Sequence, residues 1–222
     1  GADGALHRWR SSGRYDHRGG SGRAVTTVFL VRHGAHDRLG RFLDGRRPGV
    51  ELSDLGHRQA QRVAERLARE PVGAVYASPL TRTQQTAAPI AAKLGLEVSV
   101  ERALEELDFG GWQGMTFDEL KPLEDWHRWN IARSTARTPA GDSMRASQAR
   151  ILDFIDARRF AEPQTAMVLV SHADPIKAAL VYYLGLSLDD LQRFEIAPAS
   201  VSRIEIEPWG ARVVTLNETG PE

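Results

Sequence analysis

Along this chain the apolar positions keep two alternating rhythms. Short β-branched runs at residues 25–31, 72–77 and 166–170 read as internal strands, and 98–100, 201–206 and 212–216 as shorter or edge strands. Between them the period lengthens. Ala60, Val63, Ala64 and Leu67 fall at i, i+3, i+4 and i+7, as do Ile176, Ala179, Leu180 and Tyr183, and each set predicts a helix with one buried stripe. Ile151, Leu152 and Ile155 mark a further helix beginning near Asp142 or Ser143. Ser78 before Pro79 and Asp174 before Pro175 each pair a capping side chain with a proline suited to a first turn. Strands that alternate with helices predict a three-layer α/β/α domain, with helices on both faces of a mostly parallel central sheet.

Residues 1–24 break the rhythm. They are rich in Gly, Arg and Ser and nearly empty of aliphatic side chains, so they cannot bury enough surface to offset the entropy of ordering. They predict a flexible N-terminal leader, whether an artificial remnant, a processed end or part of a longer extension, ahead of one catalytic domain over residues 25–222.

Composition removes several function classes. Lys plus Arg number 29 and Asp plus Glu 29, so the overall field gives no reason to expect nucleic acid or an anionic membrane as partner, and any attraction for anions must be local. The absence of cysteine removes thiolate nucleophiles, disulfides and cysteine–zinc sites, and suits a reducing cytosol. No apolar run approaches the roughly 20 residues that span a bilayer, and the start lacks an apolar signal-peptide core. The expectation is a soluble, cytoplasmic protein.

Three strands run directly into polar residues for which a core has no use. Val28, Phe29, Leu30 and Val31 lead into Arg32, His33 and Gly34. Ala74, Val75, Tyr76 and Ala77 lead into Ser78, Pro79, Leu80, Thr81 and Arg82, and Met167 through Val170 lead into Ser171 and His172. In an open α/β sheet the carboxyl ends of parallel strands face one crevice, so two arginines and two histidines should meet there. With no carboxylate inside these short motifs, the natural counter-ion is a bound dianion, and phosphate fits. Arg32 and Arg82 can each present a planar fork to phosphoryl oxygens, Gly34 lets backbone N–H groups approach them, and the helix start at Pro79 adds a positive dipole end.

These residues, with Leu104 to Gly110, Gly114 behind them, and Val170-Ser171-His172, resemble the histidine phosphatase superfamily, the phosphoglycerate-mutase-like fold. The resemblance spans essentially residues 25–216. It implies a metal-independent phosphomonoester hydrolase without cofactor. In it His33 is the nucleophile that forms a phosphohistidine, and Arg32, Arg82 and His172 hold the phosphoryl oxygens. Glu106 is the proton donor and then the base, with Glu105 as the fallback. Gly34, His36 and Ala173 complete the implied substrate-binding set. The implied partner is a small-molecule phosphoester, and since relatives include monomers and dimers, a homodimer is compatible.

The chain departs from the family pattern at Ala35, His36, Asp37 and Leu39, where many relatives carry polar substrate contacts, and at Arg46 and Arg47, which replace an acidic residue. The stretch from Gly114 to Ser143, with Trp126, His127, Arg128, Trp129 and Arg133, is a short lid, which favours hydrolysis over a phosphomutase reaction and is the place for substrate choice. Gly141-Asp142-Ser143 resembles the family's Gly-Glu-Ser element.

Blander readings apply elsewhere. His57 reads as a surface residue, as do His7 and His17. Trp112, Trp126 and Trp129 read as lid packing. Arg58, Arg62, Arg66 and Arg69, interspersed with Glu65 and Glu70, read as a solvated helix face. Three readings compete with the hydrolase: a phosphoglycerate mutase-type phosphomutase, a metal site built from His33, His36, Asp37, His172 and Asp174, and a non-catalytic phospholigand-binding domain.

Overall fold

A computed structural model describes residues 25–220. The expected leader at 1–24 lies outside the described residues. Six strands, β1 (Thr26–Arg32), β2 (Val72–Ala77), β3 (Val98–Val100), β4 (Ala166–Ser171), β5 (Val201–Glu207) and β6 (Gly210–Glu218), form one sheet in the order β3-β2-β4-β1-β5-β6. The pairs β2–β3, β2–β4 and β1–β4 are parallel, whereas β5 runs antiparallel to both β1 and β6. The helices are α1 (Asp54–Leu67), α2 (Thr81–Leu94), α3 (Phe117–Leu120), α4 (Glu124–Ile131), α5 (Met144–Ala161) and α6 (Ala173–Tyr183). None among the described residues is long and apolar enough to cross a membrane.

The period of two along the strands sorts side chains onto two faces. Val28, Leu30, Met167 and Leu169 pack under Ile151 and Ile155 of α5 and Ile176 and Leu180 of α6. Phe29, Val31, Val168 and Val170 pack under Val63 and Leu67 of α1 and Ile90 of α2. This is the expected three-layer α/β/α arrangement.

Four local expectations need correction. The run at 201–206 is an internal strand, since β5 lies between β1 and β6, whereas the run at 212–216, within β6, is an edge strand as expected. Helix α6 is buried on more than one stripe, because Ile176, Ala179 and Leu180 meet the sheet while Ala178 and Val181 meet a third cluster under the lid. Ser78 does not cap α2, which starts at Thr81 behind Leu80, and Asp174 lies inside the first turn of α6 behind His172. Ser143 does cap α5, accepting from the Ala146 N–H.

The third cluster joins Leu107, Phe109, Trp112, Leu120, Trp129 and Met144. Trp129 is 0% exposed, meets Phe109 and Trp112 edge-on at centroid distances of 6.4 and 6.3 Å, and carries the Arg133 guanidinium 4.6 Å over its ring. The expected packing role of the tryptophans is met. Trp129→Ala is expected to cost about 3–5 kcal/mol, the range for emptying a buried aromatic position, read as a lower urea midpoint.

Candidate active site

The parallel register carries the ends of β1, β2 and β4 to one level. Arg32 pairs with Ser171 and Ala77 with Val170, while the N–H groups of His33 and Ser78 donate to the carbonyls of Ser171 and Val170, both at 3.0 Å. A cavity of about 420 Å³ opens there, lined by Arg32, His33, His36, Arg82, Glu106 and Ala173 together with lid residues.

His33 is 4% exposed, and its Nδ1 lies 2.8 Å from the Gly34 carbonyl. A carbonyl only accepts, so Nδ1 carries the ring proton and Nε2 keeps its lone pair. Burial, then Arg82 and Arg32, hold this imidazole well below the usual histidine range against the opposing pull of the Gly34 carbonyl. It is a neutral imidazole at neutral pH, with a free lone pair on Nε2.

Arg82 is 2% exposed and donates from one terminal nitrogen to the Gly45 carbonyl at 2.7 Å and to His172 Nδ1 at 3.2 Å. Its Nε and other terminal nitrogen, like Nε of Arg32, are buried without a partner among the described residues. Arg32 is oriented by a 2.6 Å bond to the Ile196 carbonyl. Burial lowers the pKa of both guanidinium groups, and Glu106 acts in the opposite sense on each. Orphaned N–H groups on two buried cations beside a neutral imidazole match a phosphoryl dianion.

His172 takes a different place from the one expected. A guanidinium has no acceptor, so Arg82 must donate to Nδ1, and the ring proton sits on Nε2, 2.9 Å from Ser78 Oγ. Both ring nitrogens are thereby occupied, and the ring stands edge-on to His33 at 5.2 Å, outside the cavity lining. His172 holds a contact to Arg82 and packs against the His33 ring.

Gly34 is likewise corrected. Its N–H donates to Thr86 Oγ1 at 3.0 Å, so it does not face the cavity. The glycine is needed for packing: a Cβ there would lie 2.6 Å from the Gly56 carbonyl oxygen, and one on Gly56 would lie 2.0 Å from that of Ala35. His36 does line the cavity, 5.4 Å from the His33 ring, and burial with Arg82 lowers its pKa to about 4. Ala173, the first residue of α6, also faces the cavity.

Glu106 lies in a segment without regular structure between two short 3-10 turns, Arg102–Leu104 and Gly110–Trp112. Its Oε1 accepts from the Leu107 N–H at 2.9 Å. Burial pushes this carboxyl up to about 7, the Asp174 carboxylate pushes the same way, and the Leu107 N–H, Arg82 and Arg32 pull it down. A carboxyl raised this far is partly protonated at neutral pH, inside the same cavity as His33.

Sequence reasoning reached Glu106 but missed Asp44 as a cavity group, and named Asp174 only as a helix cap and a metal candidate. Asp44 is 7% exposed, takes a 2.7 Å bond from Arg38 Nε and faces His36, and Asp174 accepts from Arg133 at 3.2 Å. Arg133 is 5% exposed and also donates to Asn130, so with Gln192 and Trp126 these side chains form the far wall. The one available signal was the Asp174-Pro175 pair beside His172. The proposed metal set is not assembled: Asp37 is exposed outside this cavity, and among the described residues no three His, Asp or Glu side chains meet in a metal-binding arrangement. His57 is exposed as expected, whereas Arg66 is half-buried between Glu70 and Glu218 and is not simply solvated.

The family model for the histidine phosphatase superfamily (branch 1) matches residues 28–219. Phosphoserine phosphatase 1 of Hydrogenobacter thermophilus is 33% identical over 199 residues, covering 88% of this chain and 93% of that protein. A probable phosphoglycerate mutase of Yersinia pestis is 31% identical over 198 residues, 87% and 92% of the two chains. Against a longer curated relative from Mycobacterium tuberculosis, 33% identical over 198 residues, the chain covers 54% of its length. The structure of a mycobacterial glucosyl-3-phosphoglycerate phosphatase superposes with a TM-score of 0.81 at 25% identity, covering 88% of this chain and 100% of that one.

Proposed function

This chain belongs to the histidine phosphatase superfamily, and from that membership and the cavity's geometry we propose that it is a phosphatase hydrolysing small phosphomonoesters through a phosphohistidine on His33. The carrying observation is the His33 ring, neutral and with its proton tied to Gly34, in one cavity with Arg32, Arg82 and Glu106.

In the first half-reaction Nε2 of His33 attacks phosphorus in line. The P–N bond forms, the bond from phosphorus to the substrate oxygen breaks, and Glu106 gives its proton to the leaving alkoxide. Arg32 and Arg82 neutralise the equatorial oxygens, which is most of the work in phosphoryl transfer. His172 keeps Arg82 in place. In the second half-reaction the Glu106 carboxylate takes a proton from water, the resulting oxygen attacks phosphorus, and the P–N bond breaks to release phosphate and a neutral imidazole.

The lid supports hydrolysis over mutase chemistry. A mutase must retain a phosphorylated product that carries a second anion, and the lid's one cavity-lining cation among the described residues, Arg133, is already paired with Asp174. Asp174, Asn130 and Gln192 offer hydrogen bonds to a polar leaving alcohol, and Trp126, Phe42 and Phe117 an apolar wall. Relatives named for phosphoserine and glucosyl-3-phosphoglycerate act on esters of that general kind. The proposal extends to a cytoplasmic place, supported by the lack of cysteine.

A panel of small phosphoesters is expected to release inorganic phosphate, undiminished after exhaustive chelation, and to leave an acid-labile, alkali-stable label on His33. Isomerised phosphoglycerate without net phosphate release would favour the mutase reading. A bound phosphoester with neither turnover nor label would favour the non-catalytic one.

A further inference from the structure

Arg46 stands where the family pattern has an acidic residue, and no step of the mechanism above uses it. Its side chain is committed in another direction. Nε donates to the Glu106 carbonyl at 2.8 Å, and a terminal nitrogen lies 2.7 Å from Asp142 Oδ2. Its backbone N–H donates to Gln113 Oε1 at 3.1 Å, beyond Glu106 on the same segment. The preceding residue, Gly45, accepts from Arg82 at 2.7 Å. Two consecutive residues thus connect a phosphate-binding guanidinium to the backbone of the general acid.

Arg150 reinforces the far end of this bridge. It donates to the Glu105 carbonyl at 2.5 Å and, more weakly, to that of Glu106 at 3.4 Å. Asp142 Oδ2 balances both cations, lying 3.5 Å from Arg150 as well as 2.7 Å from Arg46, and accepts the Asp108 N–H at 3.2 Å. Glu106 has no helix or strand ladder to hold it, so these side-chain bonds set its place.

We propose that Arg46 is a positioning residue for proton transfer, which holds the Glu106 backbone at a fixed offset from Arg82 so that the acid meets the leaving oxygen of the phosphoryl group. The inference rests on Glu106 as the acid, proposed above. A fixed offset matters because proton transfer requires hydrogen-bond reach, and a shift of about 1 Å can cost on the order of 100-fold.

Leaving groups of different basicity read this directly. An alkoxide needs protonation as it departs, whereas p-nitrophenolate hardly does. Arg46→Met is expected to lower kcat/KM for glycerol 3-phosphate by on the order of 100-fold, and for p-nitrophenyl phosphate by less than about threefold. Arg46→Lys, which keeps one charged donor, recovers part of the loss. Asp142→Asn removes the shared counter-charge, shows the same bias, and carries the test should Arg46→Met fail to fold. Equal losses on both substrates, or none, would overturn the positioning role. Glu106→Gln separates the premise from the inference. Its bias without bias in the Arg46 and Asp142 variants sinks the inference alone, and lack of bias in Glu106→Gln itself sinks the assignment of the acid and the inference with it.

Discussion

His33→Asn is expected to lose at least about 10⁴-fold in kcat/KM for every phosphoester, because no other side chain can take over the covalent step. The next imidazole, His36, is 5.4 Å away ring to ring and lies on the Asp44 side of the cavity. His172 has both nitrogens engaged. Affinity should behave differently from turnover. The orphaned N–H groups proposed to take up phosphate belong to Arg32 and Arg82, which the substitution does not touch, so inorganic phosphate should bind the variant within a few-fold of the parent by titration calorimetry. Turnover that survives at more than about one hundredth of the parent level would point to direct attack by water and remove the phosphohistidine from the mechanism.

Much of this site was legible because strands end in it. A run such as Val28 to Val31 announces its own end, and whatever follows the end of a parallel strand sits at the crevice. That is how Arg32, His33, Arg82 and His172 could be gathered from separate stretches of chain. What those side chains do once gathered was less legible. Gly34 looked like a phosphate contact, and its N–H instead serves Thr86 while its missing Cβ admits Gly56. His172 looked like an oxygen ligand and turns out to hold Arg82. Both outcomes are set by contacts between distant segments, which a local pattern does not encode.

Asp44 shows the same limit, and Glu106 was reached only through the family resemblance. Asp44, Asp174 and Glu106 lie on a loop, in the first turn of a helix and in an irregular segment, with no shared period, yet they meet around one cavity. Arg46 was visible only as a departure from a family pattern, and its bond to the Glu106 carbonyl depends on how residues 44–46 fold against residues 105–113. In the sheet, β6 runs past 212–216 at both ends because its terminal residues Gly210, Ala211, Asn217 and Glu218 carry no β-branched or aromatic signal.

Glu106→Gln should remove the titration that governs the parent's activity near neutrality. The parent carboxyl titrates at about 7, so the proton needed by an alkoxide leaving group is lost as pH rises through that value, and kcat/KM for an alkyl phosphate falls on the alkaline side. Glutamine can offer neither proton nor base. The variant should lose about 10²- to 10⁴-fold on alkyl phosphates and lose the limb near 7 as well. Stability supplies an independent reading of the same pKa. The folded carboxyl keeps its proton up to about 7 and the unfolded one releases it near 4.5, so between these values the folded state binds more protons and stability falls as pH rises. Replacing the carboxyl with an amide removes that loss. Glu106→Gln should therefore gain melting temperature relative to the parent at pH 8 and gain nothing at pH 4. Should the variant keep the alkaline limb near 7, or gain stability equally at both pH values, the proton belongs to a different group.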